Sequence, residues 1–255
     1  GIQADLKAIS ALGCYGMTAI TALTAQNTLG VRAIHAVPLE FLHAQIDAVL
    51  EDIGTDAVKI GMLHSADTVR AVAQAIDRHQ LQRVVLDPVM VATSGARLID
   101  EEAVAVIVRE LFPRTALVTP NLDEAALLVG RPLTTEDDMQ AAAHALVEMG
   151  APAALVKGGH LSGETITDVL LVRGEAPRLL RSARVRTDNT HGTGCTLSSA
   201  IAAHLALGHG LGAAVEGARA YIRGALEGGA GVRTGAGSGP LNHGWQPQPM
   251  RLFPL

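Results

Sequence analysis

The sequence predicts an α/β fold, a three-layer αβα sandwich with a mostly parallel central sheet. Short apolar runs alternate with longer segments of helical periodicity, which calls for parallel strands covered on both faces. Polar and glycine residues cluster directly after those runs, where such sheets bind ligands. Of the 255 residues 48% are hydrophobic and only 2% aromatic, so Ala, Val, Leu and Ile must build the core. That length and composition suit one large domain spanning residues 1–255, with no internal repeat or linker.

The elements follow in order. Residues 2–12 read as a helix with Ile2, Leu6 and Ile9 on one face and Gly13 as its stop. Residues 14–25, rich in Thr, Ala and Ile, read as a strand entering a loop, with Cys14 in the core. A helix is expected over 38–53, opening at Pro38 with Leu39, Leu42, Ile46, Val49 and Leu50 inward. Residues 57–61 read as a short strand and 65–79 as a helix capped by Ser65. The run 83–88 ends in Asp87-Pro88; residues 100–111 are helical; 116–120 is another short strand, and Asn121 caps the helix behind it. Residues 135–149 form a helix with Asp137 and Asp138 near its positive end. Residues 153–159 form a strand running into a glycine turn. Residues 166–173 and 178–187 alternate as an antiparallel pair, and helices follow over about 195–207 and 211–227. The Gly-rich stretch 228–239 reads as loop and the Pro-rich end as irregular.

Composition narrows function. The net charge is −5 with scattered basic residues, which argues against a nucleic-acid partner. No apolar run reaches the roughly 18 residues that span a bilayer. The first residues read as an amphipathic helix start rather than a secretory signal. Two cysteines, Cys14 and Cys195, make no disulfide framework, so a reducing cytoplasm is expected.

The chemistry concentrates in Thr187-Asp188-Asn189-Thr190-His191-Gly192-Thr193-Gly194-Cys195, which opens directly into an apolar helix. The first backbone N–H groups of a helix lack internal partners and carry partial positive charge. Gly192 and Gly194 let an anion approach the backbone, and His191 lies within the same turn. Neither the Gly-x-Gly-x-x-Gly fingerprint nor the P-loop is present, so this is a phosphate site of another kind. Cys195 at its mouth suits a small apolar residue packing the turn or, less often for such spacing alone, a base taking a proton from a substrate hydroxyl.

Three upstream segments suit the same chemistry, each with a plainer alternative. Asp87, closing an apolar run, fits a Mg²⁺-holding carboxylate or a turn cap. Glu124, one helical turn after Asn121, fits an orienter of metal-bound water or a capping box with Asn121. Lys157, at the end of the next run, fits a point charge for phosphate or a surface lysine.

These segments together resemble the hydroxymethylpyrimidine/phosphomethylpyrimidine kinases, within the ribokinase-like superfamily. The matching stretches begin at Gly1-Ile2-Gln3-Ala4-Asp5-Leu6-Lys7 and continue through residues 15–28, Lys59-Ile60-Gly61-Met62-Leu63 and Leu86-Asp87-Pro88-Val89-Met90. They end with residues 119–125, Val156-Lys157-Gly158-Gly159-His160, the His191–Cys195 turn and Gly239-Pro240-Leu241-Asn242-His243. The ordered set is far more specific than Gly-Thr-Gly-Cys alone.

The resemblance implies two ATP-dependent phosphorylations at one site, first of 4-amino-5-hydroxymethyl-2-methylpyrimidine and then of its monophosphate. It implies that Gln26 hydrogen-bonds the aminopyrimidine, its amide offering both donor and acceptor. Asp5, Met62, Val89 and Gly1 match other positions of the pyrimidine pocket. Asp87 and Glu124 match the pair that organises Mg²⁺ and phosphate, and Lys157 a lysine that contacts phosphate. Gly192, Thr193 and Gly194 match the anion hole, with Thr187 and His191 beside the nucleotide, and Cys195 matches the base. Most of the wider superfamily has Asp at that last position; Cys points to the pyrimidine kinases and their pyridoxal-phosphorylating cousins. A homodimer is implied as well. Family members begin with a strand and a Gly/Ser/Asp-rich loop ahead of the position of Gly1, and a chain lacking both is expected to expose an edge within its sheet. Rival readings are a vitamin B6 kinase of the same shape, a pyrimidine-binding protein without turnover, and a redox role for Cys195.

Overall fold

The computed structural model describes residues 1–91, 98–159 and 161–252. The elements run α1 (Ile2–Ala11), β1 (Ala22–Asn27), β2 (Gly30–Ala36), α2 (Leu39–Leu50), β3 (Val58–Ile60), α3 (Ala66–Arg78), β4 (Val84–Leu86), α4 (Glu101–Val106), β5 (Leu117–Val118) and α5 (Leu122–Val129). They continue with α6 (Glu136–Glu148), β6 (Ala153–Val156), β7 (Thr165–Val172), β8 (Arg178–Ala183), α7 (Thr193–Ala206) and α8 (Leu211–Gly229). The chain divides into two compact units, Gly1–Lys59 with Val185–Leu255, and Ile60–Arg184. The fold is α/β, with a mostly parallel central sheet of six strands in the order β3-β4-β5-β6-β7-β8.

In the unit Ile60–Arg184, β4 pairs with β5 and β5 with β6 in parallel, through Leu86 with Val118 and Val118 with Ala154. The strands β6–β7 and β7–β8 pair antiparallel, as their alternation predicts, with β8 stopping at Ala183. Val84, Val85, Leu86, Leu117, Val118, Ala154, Leu155 and Val156 are all buried, which is why the parallel strands are apolar at consecutive positions. The helices start where capping chemistry allows. Ser65 accepts from the Thr68 N–H at α3, and Thr135 and Asp138 close a capping box at α6. Gly130 ends α5 at φ 73°, in the left-handed region. The helix expected over 100–111 is α4 continued by one π turn over Ile107–Leu111 and a 3₁₀ turn over Phe112–Arg114. Pro113 lacks an N–H and crowds the preceding carbonyls, so regular α geometry cannot run through it.

In the other unit, α7 packs against α1 and α8. Here the structure corrects two expectations. Residues 14–20 carry no strand; β1 begins only at Ala22 and pairs antiparallel with β2, a strand the sequence does not announce. The cause is exposure. Neither face of the β1–β2 ribbon is buried, so no alternation of apolar and polar residues marks it. The apolar stretch before it is irregular and held by side chains: the Gln45 amide donates to Ile20 O and accepts from Ile20 N. Cys14 is therefore half-buried in a loop rather than a core strand residue, with its thiol 3.8 Å from Ala203 O.

Candidate active site

Three predicted residues meet in the unit Ile60–Arg184, at the C-terminal ends of neighbouring parallel strands. Asp87 follows β4, Glu124 lies in the first turn of α5 behind β5, and Lys157 follows β6. Lys157 Nζ donates to Asp87 Oδ1 at 2.8 Å, and Thr119 Oγ1 donates to the same oxygen at 3.1 Å. Asp87 is 2% exposed and the Lys157 side chain 12%, so neither plain alternative, turn cap or surface lysine, describes them. The backbone holds the lysine in place, with Lys157 N donating to Pro120 O at 2.9 Å. The turn behind it depends on Gly158, whose N–H donates to the buried carboxylate of Asp168 at 2.9 Å. A Cβ at 158 would overlap the Thr167 carbonyl, so the glycine is a steric requirement.

Glu124 does form the capping box: Asn121 N donates to Glu124 Oε2 and Glu124 N to Asn121 Oδ1, both at 2.9 Å. The box does not exhaust its role. Glu124 is 4% exposed, and its carboxyl pKa is pushed up to about 7. Burial is the largest cause and the negative charge of Asp87 adds to it, against the opposing pull of Lys157 and of the Asn121 and Met90 backbone. Among the described residues, the carboxyls of Asp87 and Glu124 and the ammonium of Lys157 thus influence one another. Of the expected substrate residues, Val89 and Met62 lie in this unit, both half-buried; Val89 N donates to Asp87 O at 2.8 Å. His160 lies outside the described residues.

The other unit carries the glycine turn. Gly192 caps α7 at φ 86°, a left-handed conformation that favours glycine, and no side chain caps the helix. Thr193 Oγ1 donates to Thr190 O at 2.6 Å and Thr196 N to Gly192 O at 2.9 Å, so the turn and first helical residues are fixed. Gly194 and half-buried Cys195 stand in that first turn, where helix N–H groups have no intrahelical acceptor. His191 N donates to Gly239 O, and burial lowers the pKa of its imidazole. Thr187 Oγ1 accepts from Asn189 N at 3.0 Å.

Further residues, to which sequence reasoning assigned no site role, support this turn. Asn189 Nδ2 donates to Gly229 O and Val232 O, each at 2.7 Å, tying the turn to the end of α8. Ser238 Oγ donates to Asp188 O, while Gly237 N donates to Thr28 Oγ1. The Gly-rich loop therefore joins the β1–β2 turn to the anion turn. His243 Nε2 lies 2.9 Å from Thr196 Oγ1, beside Cys195 in sequence, and Tyr221 Oη donates to His243 O. Only the ordering of Gly239–His243 within the matched motifs hinted at this.

The remaining predicted residues of this unit are dispersed. Gln26 is exposed on β1 at the register shift of the ribbon, 3.4 Å from Thr24 Oγ1. Gly1 caps α1 through its carbonyl, which accepts from Asp5 N. Asp5 is bonded to Lys59 and Ser199. Among the described residues no cluster of three or more His, Cys, Asp or Glu is placed to hold a metal, and no helix is long and apolar enough to cross a membrane.

The comparisons with known proteins agree with this geometry. A family model described as phosphomethylpyrimidine kinase matches residues 1–242. A hydroxymethylpyrimidine/phosphomethylpyrimidine kinase of Rhizobium meliloti is 49% identical over 95% of this chain and 91% of its own length, and one of Escherichia coli is 45% identical over the same shares. Among solved structures, a phosphomethylpyrimidine kinase from Clostridium difficile is 39% identical with a TM-score of 0.77, covering 88% of this chain and 91% of its own. An ADP complex of Bacillus subtilis pyridoxal kinase is 35% identical with a TM-score of 0.87, covering 95% and 91%. By sequence over nearly its whole length and by fold, the chain belongs to the phosphomethylpyrimidine kinase family and is a kinase of ribokinase-like architecture.

Proposed function

We propose that this kinase phosphorylates 4-amino-5-hydroxymethyl-2-methylpyrimidine with ATP and then phosphorylates the monophosphate to the diphosphate, in thiamine diphosphate biosynthesis. The observation that carries the reading is the glycine-opened N-terminus of α7, bare of any side-chain cap, with Cys195 in its first turn. Backbone N–H groups there suit the oxygens of a phosphoryl group in transfer. In the first reaction the substrate hydroxyl oxygen bonds to the γ-phosphorus of ATP and the bond to the ADP oxygen breaks. The hydroxyl proton passes to Cys195 Sγ as thiolate. In the second reaction the nucleophile is a phosphate oxygen, already anionic, so the anion hole matters more than the base.

Asp87, Glu124 and Lys157 suit the nucleotide phosphates. Lys157 supplies positive charge, and Asp87 with Glu124 fits Mg²⁺: both are hard oxygen donors, and Glu124, whose pKa is raised first by burial and then by the charge of Asp87, is a carboxyl that a cation would help to ionise. When bound, Mg²⁺ neutralises charge on the phosphates. Gln26, Asp5, Met62, Val89 and Gly1 are assigned to the pyrimidine, and Thr187 and His191 to the nucleotide, on the resemblance. A homodimer in a reducing cytoplasm is the setting we assign, in keeping with two free thiols. The alternative reading, a pyridoxal kinase of the same fold, is supported by likeness to pyridoxal kinases at a TM-score of 0.87, while Gln26 and Met62 favour the pyrimidine.

The test is an assay with Mg-ATP and the purified chain, supplied with hydroxymethylpyrimidine, its monophosphate or pyridoxal, with products identified by mass. Conversion of both pyrimidines to the diphosphate supports the reading. Turnover of pyridoxal alone transfers the chain to the vitamin B6 branch, and pyrimidine binding without turnover makes it a binder.

A further inference from the structure

Lys59 sits on β3 with its side chain only 5% exposed, and a buried ammonium is costly unless it is paired. It donates to both carboxylate oxygens of Asp5, at 3.0 and 3.1 Å. Asp5 Oδ1 also accepts from Ser199 Oγ at 2.8 Å, and Ser199 is wholly buried on α7. Three elements, β3, α1 and α7, thus meet at one carboxylate.

The position on α7 gives this cluster its meaning. Ser199 is four residues beyond Cys195, so the two share one face of the helix. Buried helical serines commonly bond back to the preceding turn. Ser198 does so, donating to Gly194 O at 3.0 Å and Cys195 O at 3.1 Å. Ser199 instead spends its only hydrogen on α1. Next to Asp5, Ala4 faces the other end of the same turn, since a Cβ on Gly192 would stand 3.5 Å from Ala4 Cβ. The helix α1 therefore touches α7 at Gly192 and at Ser199, on either side of Cys195.

We propose that Lys59 is a positioning residue for phosphoryl transfer: through Asp5 and Ser199 it sets the register of α7 against α1, and so the place of Cys195 and the anion turn. The inference rests on the reading of Cys195 and that turn given above. It goes beyond the pocket role assigned to Asp5 on the resemblance, because the same carboxylate ties β3 to α7.

The test compares Lys59→Met, Lys59→Arg and Ser199→Ala in the full chain. It measures kcat and KM for hydroxymethylpyrimidine, and the pH profile of Cys195 alkylation by iodoacetamide, with the Cys195 peptide distinguished from that of Cys14 by mass. Ser199→Ala keeps the ion pair and is expected to fold. It should lower kcat about five- to tenfold with KM within twofold, and shift the alkylation profile. Lys59→Met should lower kcat at least a hundredfold, and Lys59→Arg should recover most of that loss. A folded Lys59→Met, or a Ser199→Ala variant, with the parental kcat and alkylation profile overturns the proposal. If Lys59→Met does not fold, Ser199→Ala decides alone. Should the parent chain turn over neither pyrimidine, the proposed function fails, while the alkylation profiles still show whether Lys59 positions Cys195.

Discussion

Lys157 Nζ lies 2.8 Å from Asp87 Oδ1, and the two residues come from the ends of different strands, 70 positions apart. The pair joins the first and third of three adjacent parallel strands, and Thr119 from the middle strand donates to the same carboxylate oxygen. Removing the lysine strands a buried anion. Lys157→Met is expected to cost about 3 kcal/mol of stability, read from urea unfolding. Turnover should fall about a hundredfold or more. The double variant Lys157→Met/Asp87→Asn should regain most of the stability and none of the turnover, which separates charge burial from phosphate binding.

Glu124 predicts a pH dependence. Its folded pKa, about 7, lies above its ordinary 4.5, so the folded protein holds the proton more tightly than the unfolded chain. The resulting stability is complete below about pH 4.5 and is lost as pH rises through 7. The loss should be on the order of 3 kcal/mol without added cation. Thermal unfolding between pH 5 and 8 should show this slope in the metal-free protein and lack it in Glu124→Gln. Millimolar Mg²⁺ should flatten it by favouring the ionised carboxylate. A slope indifferent to Mg²⁺ would remove Glu124 from the metal site.

Cys195→Ala separates the two reactions. A general base contributes about 10²- to 10⁴-fold. The first phosphorylation, whose nucleophile is a neutral hydroxyl, should fall by that order with pyrimidine binding retained by calorimetry. The second, whose nucleophile is an anion, should fall far less. Equal losses in both steps would assign Cys195 to the anion hole or the packing of the turn instead.

Gln26→Ala touches an exposed ribbon, so its effect on stability should stay within about 0.5 kcal/mol. One or two lost hydrogen bonds to the aminopyrimidine correspond to about a tenfold weaker KM for that substrate. The KM for ATP should not change. An unaltered pyrimidine KM would remove Gln26 from the pocket.

How far the sequence could be read depended on burial. The parallel strands, their flanking helices and the loop ends bearing Asp87, Glu124 and Lys157 were legible because buried strands must be continuously apolar and helix starts need caps. Ser65, Asn121 and Thr135 announce their helices for that reason. The β1–β2 ribbon was illegible because it buries neither face and leaves no alternation. The π turn before Pro113 escaped because periodicity does not distinguish it from α-helix.

By itself the sequence determined the order of strands and helices from β3 onward, the glycine-opened turn before α7, and the kinase family, because each rests on local pattern and on motifs in fixed order. Only the tertiary structure decided which side chains pair. That Lys157 pairs with Asp87, that burial beside Asp87 pushes the Glu124 carboxyl up, and that Lys59 reaches Ser199 through Asp5 all follow from long-range packing. Charge pairing inside a protein is set by distance and exclusion of water, and neither is written in the spacing of residues along a chain.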